Sequence, residues 1–392
     1  MKKHDLEVAL KQLQPFCAGR STLPALSNVA ITPQPEGRLA FQATNLEIAG
    51  TIFTDGQIDG DGTTTNLKRL RKVTGAFKAA DLSLAVYNDD SLILTAPRRK
   101  VTLQGLPLSE FPSVSPPTLP IARLKALDIR RIGRLVVPST ATDEARPQLC
   151  AVYLELWPDE LLAVGVDGYE LAHLTLTEGY RPLCQAEDAG EEQPIKTFLV
   201  PSALFTAMNT MMTSGGRNGK KVTDQLATTF LTMTANDEGD IVGFGLEGQY
   251  AVIARLVDGE FPNWRVIFPK DRGNALTVDQ RELAEALQSL RAFATNAVKM
   301  IWQAEAGGDQ LNISMREADV GTMEATVSCT ATGQVDFALA LPRTLKLAQR
   351  LAPGLVTIDF PDRTGHRGEP ALLISSTGDS EVAFLLQPMM NS

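Results

Sequence analysis

Asp143, Glu144, Asp167 and Glu170 are the closest this sequence comes to a catalytic set. Neighbouring carboxylates can exchange protons or hold a metal, but no hydrolase signature accompanies these. The three histidines, His4, His173 and His366, are scattered, as are Cys17, Cys150, Cys184 and Cys329. Without paired spacing they suggest neither a zinc cluster nor a disulfide framework. Gly243-Phe244-Gly245-Leu246-Glu247-Gly248 fits the GxGxxG pattern, which binds a dinucleotide only between a strand and a helix. Here the residues that follow, YAVIARLV, read as a strand, so a glycine-rich hairpin turn is expected. The run SGGRNGKKVTD from Ser214 lacks phosphate-loop spacing and follows a helix; it reads as a basic loop carrying Arg217, Lys220 and Lys221. The expectation is a protein that is not an enzyme and has no catalytic residues, metal or cofactor.

The elements that would position these residues come in repeats. From Arg20 to Gly50 the chain runs through Leu23 and Leu26, an apolar run, a Pro/Gly turn, a second run and Asn45-Leu46-Glu47-Ile48. From Glu144 to Leu174 it does so again, turning at Trp157-Pro158-Asp159-Glu160 and reaching Asp167-Gly168-Tyr169-Glu170-Leu171. Each reads as a β-hairpin. Around each lie two helices and three further strands. Leu6, Leu10 and Leu13 precede the first hairpin, and Leu67, Leu70, Val73 and Phe77 follow it. Ile129, Ile132 and Val136 precede the second, and Leu204, Met208 and Met211 follow it. Glu110-Phe111-Pro112 closes the first segment and Glu260-Phe261-Pro262 the second. A looser third copy has helices at Leu283, Leu287, Leu290 and at Leu345, Ala348, Leu351, with MIWQAEA and QLNISM as its hairpin. Three copies predict three similar α+β domains, at 1–118, 119–262 and 263–392.

The bulk composition permits this. At 392 residues, 44% of them hydrophobic, the chain can fill two or three cores. No apolar run approaches the roughly 18 to 20 residues that span a bilayer, and MKKHDLEVALKQLQ does not read as a signal peptide. A cytoplasmic protein without a membrane partner is expected. The net charge of −9 would count against nucleic acid, unless the basic residues are gathered on one surface.

With TLPALSN near Arg20, two EFP closures and a C-terminus running LLQPMM, the three segments resemble the bacterial DNA polymerase III β subunit, the sliding-clamp family. The resemblance covers essentially the whole chain. It implies three clamp domains per chain and a head-to-tail homodimer, a pseudo-sixfold ring lined by helices that encircles duplex DNA. Such a ring is a processivity factor in DNA replication: it binds DNA without sequence preference and tethers polymerase and clamp loader. On the DNA side it points to Arg20, Lys68, Arg69, Lys72, Arg130, Arg134, Arg146, Arg217, Lys220, Arg343, Lys346 and Arg350. Ordinary solvated helix faces would look the same. Glu282 and Glu285 leave one helix acidic where a basic lining is wanted.

The resemblance also implies a groove for short hydrophobic peptide motifs, built from Leu149, Gly168, Tyr169, Leu171, Pro262, Pro388 and Met389. Phe111, Ala292 and Phe293 fall at the implied dimer seam. The chain departs from the family pattern at Val166, a Thr there, at Glu170 and Val266, both Arg, and at Arg343, a Tyr. Met390 replaces a basic residue, and Asn391-Ser392 a terminal Leu. These changes imply altered peptide specificity. They also keep an alternative open: a paralogue that binds peptides without encircling DNA.

Overall fold

Several helix starts can be traced to a single residue. The side-chain oxygen of Asn66 accepts from the Arg69 N–H at 3.1 Å, opening the helix Leu67–Ala76. Asp279 accepts from the N–H groups of Arg281 and Glu282 and opens Gln280–Phe293. Pro342 occupies the first turn of Leu341–Arg350, where its missing N–H costs nothing. With Lys3–Leu13, Ala126–Arg131 and Ser202–Ser214, these are α1 (Lys3–Leu13), α2 (Leu67–Ala76), α3 (Ala126–Arg131), α4 (Ser202–Ser214), α5 (Gln280–Phe293) and α6 (Leu341–Arg350). The expected stripes are buried, as with Leu6, Leu10 and Leu13 of α1, except that Val73 of α2 and Leu345 of α6 are only half-buried, and Leu341, Thr344 and Leu347 fill the inner face of α6.

This computed structural model describes all residues except 20, 88–89, 113–114, 185–192, 215–225, 270–272, 297, 319, 362–369 and 391–392, together with the side chain of Ser214. The basic loop with Arg217, Lys220 and Lys221, and also Arg20, His366, Asn391 and Ser392, lie outside the described residues. The chain forms two compact units. One comprises Met1–Gly133, Leu154–Leu161 and Thr177–Asp258; the other Arg134–Tyr153, Leu162–Leu176 and Gly259–Ser392.

In the first unit α1 packs on α2 and α4. A ten-stranded sheet runs through it in the order 181–182, 119–125, 230–235, 241–246, 250–255, 48–55, 38–44, 28–34, 63–66, 105–106. The strand Ile48–Asp55 pairs antiparallel with Tyr250–Arg255, Ile48 opposite Ala254 and Ile52 opposite Tyr250, so repeats distant in sequence share one ladder. The GxGxxG run is a hairpin turn as expected: Leu246 faces Tyr250 across it, and Gly248 takes φ +68°. A separate four-stranded sheet carries Ser83–Val86, Leu92–Ala96 and Arg99–Leu103.

The second unit is built on a sheet ordered 170–176, 379–386, 372–376, 355–360, 274–279, 321–331, 310–317, 299–304, 335–340. The expected hairpin of the third copy pairs Ile301 with Ser314. The strand Gly321–Ala331 was not legible, because most of its side chains face solvent and it has no apolar alternation. The helix expected through Val136 ends at Arg131 and continues as a π turn over Ile132–Val136, with Pro138 barring extension.

Candidate peptide groove and charged faces

The turn Asp167–Glu170, in the second unit, organises the candidate site. One oxygen of the Asp167 carboxylate accepts from the N–H groups of Tyr169 and Glu170, both at 2.8 Å, and the Asp167 N–H donates to the Glu170 carbonyl at 3.1 Å. Closing so tightly requires the left-handed region at the next residue; Gly168, at φ +95°, supplies it without strain. The turn throws Tyr169 outward, 63% exposed, and sends Glu170 inward, 4% exposed.

Tyr169 borders two cavities. The smaller, about 60 Å³, is apolar: Val166, Leu171, Ile267 and Leu385 line it, Leu171 facing Leu385 in the ladder between Glu170–Leu176 and Asp379–Leu386. The larger, about 480 Å³, carries Arg146, Arg343 and Lys346 beside Pro138 and Thr140. An apolar slot next to a roomier polar one suits an extended peptide with one anchor side chain.

Beneath Tyr169 lies a ladder of charges. Arg343 pairs with Asp167 and stacks its guanidinium 5.3 Å from the Tyr169 ring centre. Arg350 pairs with Glu170, donates to the Leu135 carbonyl at 3.0 Å and to the Ser139 hydroxyl at 2.9 Å, and lies 4.9 Å from the Phe384 ring centre. The Ser139 hydroxyl in turn donates to Glu170 at 2.5 Å. Both carboxylates are thus spent inside the protein. Arg146 and Lys346 are exposed, with no ion pair among the described residues, so the free charge they present is positive.

Of the expected groove residues, the structure brings Gly168, Tyr169 and Leu171 together. Leu149 and Pro388 are buried, Pro262 is exposed and Met389 half-buried, and none of the four lines either cavity. The Met389 N–H donates to the Ala338 carbonyl at 2.8 Å, so the C-terminal run is tied to the sheet. Ile267 and Leu385 were missed: Ile267 lies in the apolar, aromatic run FPNWRVIFP, where nothing in the residue types marks it apart from its neighbours, and in the structure it is exposed beside Val266.

The basic residues divide. Lys68, Arg69 and Lys72 are exposed together on α2. Arg134 and Arg146 are exposed and Arg130 is half-buried. The stripe expected on α6 needs correcting: Lys346 faces solvent, Arg343 is bound to Asp167, and Arg350 is 7% exposed and committed to Glu170. Helical spacing fixed which residues align, but only the partner Glu170, far away in sequence, turns Arg350 inward. At the expected seam Phe111 is buried within the chain, Ala292 is exposed and Phe293 half-buried. Glu282 of α5 accepts from the Ser328 N–H at 2.9 Å and its hydroxyl at 3.1 Å, which occupies one acid of that face. Among the described residues no helix is long and apolar enough to cross a membrane, and no three His, Cys, Asp or Glu side chains gather as metal ligands.

Residues 1–115 match the family model described as DNA polymerase III beta subunit, N-terminal domain. The chain is 26% identical to the beta sliding clamp of Caulobacter vibrioides, over 97% of this chain and 96% of that protein. It is 23% identical to the beta sliding clamp of Pseudomonas putida, over 98% of each. Among solved structures, the DNA polymerase sliding clamp from Bacillus subtilis superposes with a TM-score of 0.83 at 17% identity, covering 100% of this chain and 98% of that one. A DnaN sliding clamp from Bartonella birtlesii bound to griselimycin gives 0.82 at 19%, again over 100% and 98%.

Proposed function

We propose that this chain, a divergent member of the DNA polymerase III beta subunit family, works as a replicative sliding clamp. Two copies close head to tail into a ring around duplex DNA, and the cavities beside Tyr169 dock short hydrophobic motifs of polymerase and clamp-loader subunits. The observation that carries this reading is the likeness to sliding clamps from end to end of the chain. By family the protein is a processivity factor and not a catalyst.

Holding DNA by encirclement needs weak, sequence-blind contacts, and exposed lysines and arginines on helices provide them. Lys68, Arg69 and Lys72 carry that role here, joined by Arg130, Arg134, Arg146 and Lys346 and, outside the described residues, by Arg20, Arg217 and Lys220. Arg343 serves the groove instead. Segments 1–118, 119–262 and 263–392 act as the three clamp domains, and Ala292 and Phe293 lie near the seam between chains.

The test is retention on DNA. Loaded on a nicked circular plasmid by its cognate loader and ATP, the protein should co-elute with the circle and be released by linearisation. Its solution mass should hold at twice 42.3 kDa on dilution. A single-chain mass with no retention would leave the peptide-binding paralogue as the better reading.

A further inference from the structure

The turn that builds the groove occurs twice. In the first unit Asn45 stands where Asp167 stands in the second: its side-chain oxygen accepts from the N–H groups of Glu47 and Ile48, at 3.1 and 2.8 Å, and its own N–H donates to the Ile48 carbonyl at 3.2 Å. Leu46 has φ +79°, the counterpart of Gly168 at +95°. The Arg255 N–H donates to the Glu47 carbonyl at 3.0 Å, as the Gln387 N–H does to Tyr169 at 2.9 Å. The ladders agree in register: Ile48 faces Ala254 and Ala49 faces Ile253, as Glu170 faces Leu386 and Leu171 faces Leu385. Beside this second turn is a cavity of about 270 Å³, between the apolar slot of about 60 Å³ and the polar cavity of about 480 Å³ beside Tyr169, lined among others by Thr44, Leu46, Ile48, Ile241, Ile253 and Arg255.

We infer that this cavity is a second peptide-docking site, whose occupant is a short linear segment of a partner protein with an apolar anchor and an acidic neighbour. The choice of a peptide rests on the reading of the Tyr169 groove given above. Two features of this copy are its own. Leu46 holds a left-handed conformation that costs a non-glycine residue of order 1 kcal/mol or more, and it leaves its side chain 54% exposed at the cavity. Glycine would remove that strain; leucine instead sets an apolar side chain at the mouth of the cavity. Arg255 is exposed, without an ion pair among the described residues, where the other copy has the neutral Gln387. A cation at the rim of an apolar slot is complementary to a carboxylate next to the anchor. Glu47, also exposed and lining the cavity, restricts that carboxylate to the Arg255 end.

Fluorescein-labelled Gly-Ser-Asp-Leu-Phe-Gly, and the same peptide with Lys for Asp, are titrated into the full chain by fluorescence anisotropy, with stoichiometry from equilibrium dialysis. The expected result is two sites per chain. With Tyr169→Ala and Ile267→Ala together one site should remain. That site should weaken about tenfold on Arg255→Glu and also on Leu46→Asp, and should prefer the Asp peptide over the Lys peptide by a similar factor. One site in the wild type, abolished by the Tyr169 and Ile267 changes, would overturn this inference and leave the first groove standing. A site insensitive to those changes but lost on Arg255→Glu would support this inference and displace the first groove. No binding by the wild type would remove both. If Leu46→Asp halves the solution mass, the occupant is a second copy of the chain and the peptide assignment fails.

Discussion

Replacing Arg350 by Ala should destabilise the second unit severely. The substitution takes the guanidinium from Glu170, whose side chain is 3% exposed, and ends the bonds to the Leu135 carbonyl and the Ser139 hydroxyl. Removing one member of a buried pair costs about 3 to 5 kcal/mol, because the remaining charge stays out of water. Two groups soften the loss: the Ser139 hydroxyl still donates to Glu170 at 2.5 Å, and Arg343 lies 3.8 Å from its other oxygen. The expected cost is therefore about 3 kcal/mol, which for a unit of this size lowers the melting temperature by roughly 6 to 12 °C. Trp264 and Trp302 are buried in the second unit and Trp157 lies in the first, so tryptophan fluorescence during urea unfolding is read in a Trp157→Phe background, where it follows the second unit alone. Changing both partners, Arg350→Met with Glu170→Leu, removes both charges and should recover most of the loss. A single variant costing less than about 1 kcal/mol, or a double variant as unstable as the single, would refute the reasoning. If Arg350→Ala weakened retention on DNA with stability unchanged, the residue would return to the DNA-facing set.

Tyr169→Ala with Ile267→Ala should reduce peptide binding at the first groove at least tenfold while leaving the solution mass unchanged; equal affinity would mean the groove is misplaced. Lys68, Arg69 and Lys72, all changed to Glu, should shorten retention on circular DNA and flatten its dependence on salt, by about 0.9 in the log–log slope for each phosphate no longer neutralised. Burial pushes the Tyr250 hydroxyl up to about 12 from an ordinary value near 10. Because the folded state then keeps a proton the unfolded chain gives up, its contribution is whole below pH 10 and is lost as pH rises from 10 to 12. Tyr250→Phe should lessen the fall of the urea midpoint over that range without abolishing it, because burial also pushes the Tyr180 hydroxyl up. The comparison belongs in a Cys17→Ala background, since burial, outweighing nearby Lys68, also pushes the Cys17 thiol up to about 12.

What could be read in the sequence was local. Leu6, Leu10 and Leu13 announce α1 by spacing alone, and Asn66 and Asp279 mark helix starts with their own side chains. The likeness of Asn45–Ile48 to Asp167–Leu171 also survives in sequence, because a tight turn constrains a few adjacent residues through their own hydrogen bonds. The walls of the groove depend instead on pairings across long stretches of chain. Leu385 joins Leu171 only when two remote strands take register, and Ile267 arrives from a short 3₁₀ turn with no periodicity. Arg343 and Arg350 show the same limit: both sit in a clear helix, yet their roles are set by Asp167 and Glu170, which no spacing rule connects to them.

The ladder between Ile48–Asp55 and Tyr250–Arg255 has a mechanical consequence. Five successive residue pairs, from Tyr250 opposite Ile52 to Ala254 opposite Ile48, hold the two repeats as one sheet. Force along those strands loads every pair in shear at once, so none can yield first; only peeling from an end breaks them one by one. Two repeats joined in this way are a rigid girder and not a hinge. If the ring proposed above forms and admits DNA by opening, this joint is the one expected to stay shut, and another must part.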